Sequence, residues 1–206
     1  MPKIPLALGG LIGLLTAAAP ALLHAGLGLP NVAMLSRVAA VTVALGASFA
    51  LDDPAARTTV VVPVSPVVQR AVRAVPVFAI GLTMWAVAAA TARLALAQET
   101  RPLFPWGGLA MEAAALVAIS LALAALGLRF TEGEHGSMVA APGILLLVIT
   151  AALLPERTAL FLPPGHPYWA AAHQVWAGLL VVGLTAGTLL ARDTARRRFK
   201  RPPQSN

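Results

Sequence analysis

The chain contains no cysteine, one tyrosine and few charged residues. Asp and Glu together number 8, and all charged residues make up only 11% of the 206 residues. The missing cysteine excludes disulfides, thiolate metal sites and cysteine nucleophiles. The low charge excludes an ordinary soluble domain, in which roughly a quarter of the residues are charged.

Apolar residues take the place of the missing charge. They make up 58% of the chain, and the mean hydropathy is +0.80. Apolar runs of about 18 residues or more recur, and this length crosses a hydrocarbon core roughly 30 Å thick. Such runs, without strict alternation, favour helices over barrel strands. The sequence therefore predicts an all-α, polytopic membrane protein.

Clusters of Pro, Gly and charged residues divide the chain into six candidate spans. The approximate spans are 5–25, 32–51, 74–97, 107–128, 138–154 and 168–190. Short connections predict one helical bundle over 1–191, followed by a basic cytoplasmic tail over 192–206. Lys3, the first apolar run and the small residues 17–19 also resemble a signal peptide, whose removal would leave five spans.

The distribution of Lys and Arg predicts that both ends of the chain face the cytoplasm of a multi-pass plasma-membrane protein. With the N-terminus inside, eleven basic residues in the connections and tail fall inside and three fall outside. Six of the eleven lie in the tail, where they fit contact with anionic lipid headgroups better than nucleic acid. Trp106, Tyr168 and Trp169 stand at predicted outer helix starts, which agrees with this orientation.

The connection between the second and third spans carries helix-start signals. Asp53 before Pro54 can cap free backbone N–H groups and begin a short helix. Ser65 before Pro66 offers a second start, which would lead through Arg70 into the third span. The pattern predicts either a membrane-surface elbow or a docking element for a cytoplasmic partner.

This segment, LDDPAARTTVVVPVSPVVQRAVR, resembles the membrane (permease) subunits of ABC transporters of the type 2 permease family, in their actinobacterial form. The six-span layout, the length of about two hundred residues and the basic tail are similar too. In that family the connection between the second and third spans carries the coupling helix that contacts the ATPase. The resemblance implies that this helix covers 52–59 here. The residues implied at or near the contact are Asp52, Asp53, Pro54, Arg57 and Arg70.

The resemblance also implies partners. The chain has no phosphate-binding G-x-x-x-x-G-K-[ST] loop, so ATP and Mg²⁺ would bind to a separate cytoplasmic ATP-binding subunit. Six helices are few for a transport pathway, so a second permease copy or a different permease chain would face this one across it. The chain itself is then predicted to be no enzyme and to hold no cofactor.

Ionisable residues within the spans are candidates for function because charge in hydrocarbon is costly. Five of them map to the predicted outer half: Arg37, Arg93, Glu112, His173 and His24. Glu112 is the only acid well inside a span, and Arg37 and Arg93 match its depth. The group could lock helices together, or line an outward-facing polar cavity, which would favour export. Nothing in the spacing supports metal binding by the two histidines, so no metal site is predicted.

Three other functions stay open from the sequence. Few residues lie outside the predicted spans, as in a scaffold or accessory subunit of a membrane complex. A secondary carrier would show polar residues at the midplane and repeats. An intramembrane serine protease would need Ser36 and His173 to pair, yet no oxyanion motif surrounds Ser36.

The pairs Gly9-x-x-x-Gly13 and Gly183-x-x-x-Gly187 predict close helix packing.

Overall fold

The computed structural model describes residues 3–52, 66–130 and 135–199. Over these residues the chain forms six α-helices, one short 3-10 turn at Arg101–Leu103, and no strand. The helices are α1 (Lys3–Leu22), α2 (Leu29–Ser48), α3 (Pro66–Arg93), α4 (Trp106–Phe130), α5 (Ser137–Leu153) and α6 (Trp169–Phe199). The predicted all-helical fold is confirmed.

Five of these helices, all except α5, are long and apolar enough to cross a membrane. The apolar α5 has 17 residues, which gives roughly 25 Å at a rise of about 1.5 Å per residue. That length lies at the lower limit for a membrane crossing. The sixth span and the cytoplasmic location of both ends stay predictions.

Helix boundaries follow local sequence signals. The described part of α3 starts at Pro66, and the helix start that Ser65 and Pro66 predict stays a prediction because Ser65 lies outside the described residues. α1 ends at Leu22, before the predicted limit of 25, because His24 adopts a left-handed φ of 54° that a helix cannot include. α6 continues well past the predicted end of its span, to Phe199.

The first two helices, α1 and α2, run in opposite directions. A Cβ on Gly9 of α1 would collide with the Thr42 carbonyl oxygen, and a Cβ on Gly46 would lie 2.9 Å from Leu6 Cα. Positions that ascend along α1 therefore meet positions that descend along α2. Glycine permits this close packing, as the small-residue spacing predicts.

α4 lies at the centre of the bundle and contacts α2, α3, α5 and α6. Contacts advance in the same direction along α2 and α4, from Arg37 with Glu112 to Ala44 with Ser120. The Ser120 hydroxyl donates to the Ala44 carbonyl at 2.7 Å. α2, α4 and α6 thus begin at the same end of the bundle, here called the Arg37 end. The other end, where α5 begins beside Asp52, is called the Asp52 end.

Candidate functional site at the Arg37 end

A buried ion pair joins α2 to α4 near the Arg37 end. Arg37 Nε donates to Glu112 Oε2 at 2.7 Å, and Arg37 Nη2 donates to Glu112 Oε1 at 2.9 Å. The Glu112 side chain is 1% exposed and that of Arg37 is 7% exposed. Two parallel charge-assisted bonds of this kind orient both groups and offset part of the cost of removing them from water.

The pair lies inside the bundle, beyond the first turn of each helix. Measured along the helix axes, Arg37 is roughly 12 Å from Leu29, the first residue of α2, and Glu112 is roughly 9 Å from Trp106, the first residue of α4. The surrounding positions on both helices are mainly small alanines, which lets the backbones approach and excludes water. The charges therefore depend on each other rather than on solvent.

His173 of α6 completes a three-helix cluster. Its Nε2 lies 3.3 Å from Glu112 Oε1, and its Nδ1 lies 2.8 Å from the Trp169 carbonyl oxygen. The Nε2 contact lacks hydrogen-bond alignment, which leaves this buried nitrogen without a hydrogen bond among the described residues. Because a carbonyl only accepts, Nδ1 carries a proton, and Nε2 is attracted to the carboxylate only when it carries one as well.

Gly108 of α4 makes room for this histidine. A Cβ at that position would lie 2.6 Å from His173 Nε2 and 2.9 Å from Trp169 Cζ2. These distances are too short for any side chain, so only glycine allows the imidazole to reach Glu112. The sequence offered no signal for this role, because Gly107 and Gly108 resemble an ordinary helix start.

The connection between α5 and α6 folds into the Arg37 end of the bundle. Leu160 and Leu162 are buried, whereas the preceding residues 155–158 are exposed. Arg37 Nη2 donates to the Leu162 carbonyl at 2.7 Å, and Trp176 Nε1 donates to the Leu160 carbonyl at 3.1 Å. Non-helical backbone at this depth is tolerated when protein groups satisfy its polar atoms. We call residues 160–162 the plug.

Aromatic rings enclose the plug and the guanidinium. The Phe161 ring centroid is 5.4 Å from that of Trp176 and 5.5 Å from Arg37 Cζ. The Trp169 ring lies 5.7 Å from the same Cζ. Cation–π contact adds attraction where the charge is desolvated. Arg37 therefore contacts α4, α6 and the plug at once.

The five ionisable residues predicted for this region separate into two groups. Arg37, Glu112 and His173 come together as described. Arg93 instead donates from Nε to the Arg101 carbonyl at 2.9 Å, which shapes the loop between α3 and α4. His24 is exposed in the turn after α1. Ser36 donates its hydroxyl to the Val32 carbonyl of its own helix at 2.9 Å.

At the Asp52 end, Asp52 caps the start of α5. Its Oδ1 accepts the Ser137 backbone N–H at 3.0 Å, and its Oδ2 accepts the Ser137 hydroxyl at 2.6 Å. A carboxylate at this position accepts a hydrogen bond from a free backbone amide and interacts favourably with the positive end of the helix dipole. Asp53, Pro54 and Arg57 lie outside the described residues. Arg70 lies in the first turns of α3, and the predicted coupling role of this segment stays a prediction.

The described residues contain no group of three or more His, Asp or Glu side chains that could hold a metal ion. In the cluster at the Arg37 end, the guanidinium of Arg37 and the imidazole of His173 both contact the carboxylate of Glu112. Its geometry suits a latch between helices and the plug. Comparisons with known proteins give no match to a protein-family model, to a curated protein or to a solved structure. Function is therefore inferred from this geometry together with the sequence.

Proposed function

We propose that the chain is the membrane subunit of an ATP-driven exporter that works with a separate cytoplasmic ATPase. The observation that carries the proposal is a continuous connection from one end of the bundle to the other through α5. At the Asp52 end, Asp52 holds the first residue of α5. At the Arg37 end, α5 ends at Leu153 and leads into the plug.

The Asp52 end of this connection adjoins the predicted coupling segment. Asp52 is the first residue of the stretch 52–59, whose sequence resembles the coupling helix of type 2 permeases. A push on that stretch would act on the start of α5 through two short hydrogen bonds. α5 is a helix of 17 residues with Pro142 inside it, and a displacement of the whole helix would be passed through the connection after Leu153 to the plug.

The Arg37 end holds the element that would alternate between two packed arrangements in the proposed exporter. With the plug seated, Arg37 and Trp176 each bond to one of its carbonyls, and in the proposed exporter this state is closed to the outside. With the plug withdrawn, the cluster would face an outward cavity. Alternation between two packed states, rather than continuous deformation, is how transporters open and close. The buried ion pair lies at this end of the bundle, which fits release to the outside.

Affinity purification tests the proposal. The full-length chain, carrying a C-terminal tag, is extracted in a mild detergent and its co-purifying proteins are identified by mass spectrometry. A stoichiometric ATPase is expected. Arg57→Glu, in the predicted coupling helix, should lose that ATPase while the chain stays folded. Arg157→Glu, in the connection between α5 and α6, is the matched charge reversal and should keep it. A folded, monodisperse chain without an ATPase would refute the proposal.

An accessory subunit is the second candidate. The ion pair between α2 and α4 favours it, because the same contacts that could latch a gate also fix helices in place. The two functions differ in what the latch does. In a scaffold, variants that weaken the plug contacts lower assembly of the complex. In a transporter, they leave assembly intact and change the ATPase rate.

A further inference from the structure

Two buried donors from different helices converge on the plug. Arg37 Nη2 of α2 bonds the Leu162 carbonyl, and Trp176 Nε1 of α6 bonds the Leu160 carbonyl. Trp176 is fully buried and Arg37 is 6% exposed. Both bonds go to backbone oxygens, so they do not depend on which side chains the plug carries. Any molecule with suitably placed carbonyls could accept them.

Withdrawal of the plug would leave the Trp176 Nε1–H and one N–H of Arg37 Nη2 without an acceptor, while the other N–H of Nη2 stays bonded to Glu112 Oε1. A buried donor that loses its partner costs free energy, and a charged one costs more. The state without the plug therefore requires other acceptors in the same position. Water is a poor substitute beside the Trp169 and Trp176 rings, because the slot that the plug vacates is largely aromatic and apolar.

The charge balance selects a neutral acceptor. The guanidinium of Arg37 is already paired with the Glu112 carboxylate through two hydrogen bonds. With His173, 3.3 Å from Glu112, in its neutral form, a second anion would leave an uncompensated negative charge in a water-poor site, which is strongly unfavourable. An amide or ester oxygen can accept the Nη2 hydrogen bond without adding charge. Flanking apolar groups would then take the place of the leucine and phenylalanine side chains of the plug.

The connection that carries the plug is not part of a helix. It lies between α5 and α6 and includes Pro155, Pro163, Pro164 and Gly165. Its contacts with the bundle are concentrated at residues 160–162, whereas residues 155–158 are exposed. Its withdrawal would break the two carbonyl bonds and the packing of Phe161 without unwinding either neighbouring helix.

We propose that the plug occupies, as a built-in pseudo-ligand, a binding slot for uncharged apolar compounds that carry carbonyl oxygens. Hydrophobic peptides and lipid esters share this chemistry. The inference rests on the proposed function, because it names the class of substrate that the exporter would release. The slot would hold such a compound between Arg37 and Trp176 when the plug is withdrawn.

Site-specific labelling tests the slot directly, because the chain has no cysteine of its own. Leu162→Cys keeps the backbone carbonyl and places a thiol at a position that is 4% exposed. The full-length variant in lipid nanodiscs is treated with a maleimide, and the labelling rate is measured. The probe is the capped tripeptide acetyl-Leu-Phe-Leu-amide, which copies the plug. Glu156→Cys, on a side chain 77% exposed, is the control for reagent reactivity.

The peptide should displace the plug and raise the labelling rate of Leu162→Cys by about tenfold or more at saturation, with no effect on Glu156→Cys. Dihexanoylglycerol, a lipid ester, is the second arm. An effect of the peptide alone identifies peptides as the source, and an effect of the ester alone identifies lipids. The free acid acetyl-Leu-Phe-Leu should act more weakly than the amide. No acceleration by either compound, or stronger binding of the acid, would overturn the inference.

A matched pair of tryptophan variants tests the donors. Trp176→Phe, made in the Leu162→Cys background, removes the indole bond that holds the plug. The labelling rate without probe should therefore rise, by up to about tenfold, the effect of one hydrogen bond, while the probe concentration for half-maximal labelling stays similar because plug and probe lose the same bond. Trp85→Phe removes an indole bond of 3.0 Å to the Ser36 carbonyl, away from the plug, and should leave the labelling rate unchanged. An equal rise in both variants, or no rise in Trp176→Phe, would overturn the assigned slot.

This binding assay needs no ATPase. Probe binding without a co-purifying ATPase would refute the exporter while the slot stands. A co-purifying ATPase without probe binding would refute the slot and leave the exporter in place.

Discussion

Removal of Glu112 should destabilise the bundle more than removal of Arg37. Glu112→Leu leaves the guanidinium buried with only the Leu162 carbonyl and two aromatic rings as partners. Arginine cannot lose its proton in a protein, so the full cost of an unpaired charge remains. Breaking a buried pair in this way costs about 3–5 kcal/mol of unfolding free energy.

Arg37→Met leaves the Glu112 carboxyl group, rather than a guanidinium, without its partner in the ion pair. Glu112 keeps a neighbour that can donate a hydrogen bond to it, because His173 Nε2 lies 3.3 Å from its Oε1. The cost should fall to about 1–3 kcal/mol, which is typical of orphaned hydrogen-bond partners. The double variant Arg37→Met/Glu112→Leu removes both charges and should be more stable than Glu112→Leu alone.

Unfolding of the purified chain in mixed micelles, with increasing mole fractions of sodium dodecyl sulfate, measures these differences through tryptophan fluorescence. Glu156→Leu is the control, because this carboxylate is exposed, and it should change the unfolding free energy by less than about 0.5 kcal/mol. The reasoning fails if Glu112→Leu matches the wild type. It also fails if Arg37→Met is the more damaging single change, or if the double variant is no better than Glu112→Leu.

Three further predictions follow from close contacts elsewhere in the bundle. Gly9→Val should cost about 1–3 kcal/mol of unfolding free energy through overpacking against α2, whereas Gly26→Val, with open space around its Cα, should be near neutral in the same micelle assay. Asp52→Ala should cost about 1–2 kcal/mol through loss of the α5 cap, with Asp52→Asn intermediate because its amide oxygen still accepts one bond; equal stability of all three proteins would contradict the cap. Gly108→Ala should displace His173 from Glu112, observed as a change in the imidazole NMR shifts, which an unaltered spectrum would disprove.

Much of the fold follows from local signals that the sequence states directly. The apolar runs predict the helices, and five of the six are long and apolar enough to cross a membrane. The depth of a residue in the membrane can also be predicted from the sequence, because it depends only on how far along its helix the residue lies. Arg37 and Glu112 were matched by depth, and they do pair.

The sequence does not predict in the same way which neighbouring group a side chain points toward. Arg93 matches the depth of Glu112 too, yet it donates to the Arg101 carbonyl. Burial of the plug could not be decided either, because the run 153–162 is apolar enough to enter the bundle but Glu156 and Arg157 interrupt it. Long-range packing decides both features, and the sequence pattern of one segment does not encode it.

The ion pair also sets an order of events during synthesis. Arg37 belongs to the second helix and Glu112 to the fourth, so the ribosome delivers the cation to the bilayer well before its counter-ion exists. Until α4 arrives, the nascent chain carries an unpaired arginine that has to reach toward the headgroups. The plug and His173 come last. Incomplete chains that stop after α3 are therefore chemically distinct from finished ones, and a membrane quality-control protease could recognise them by that one uncovered charge.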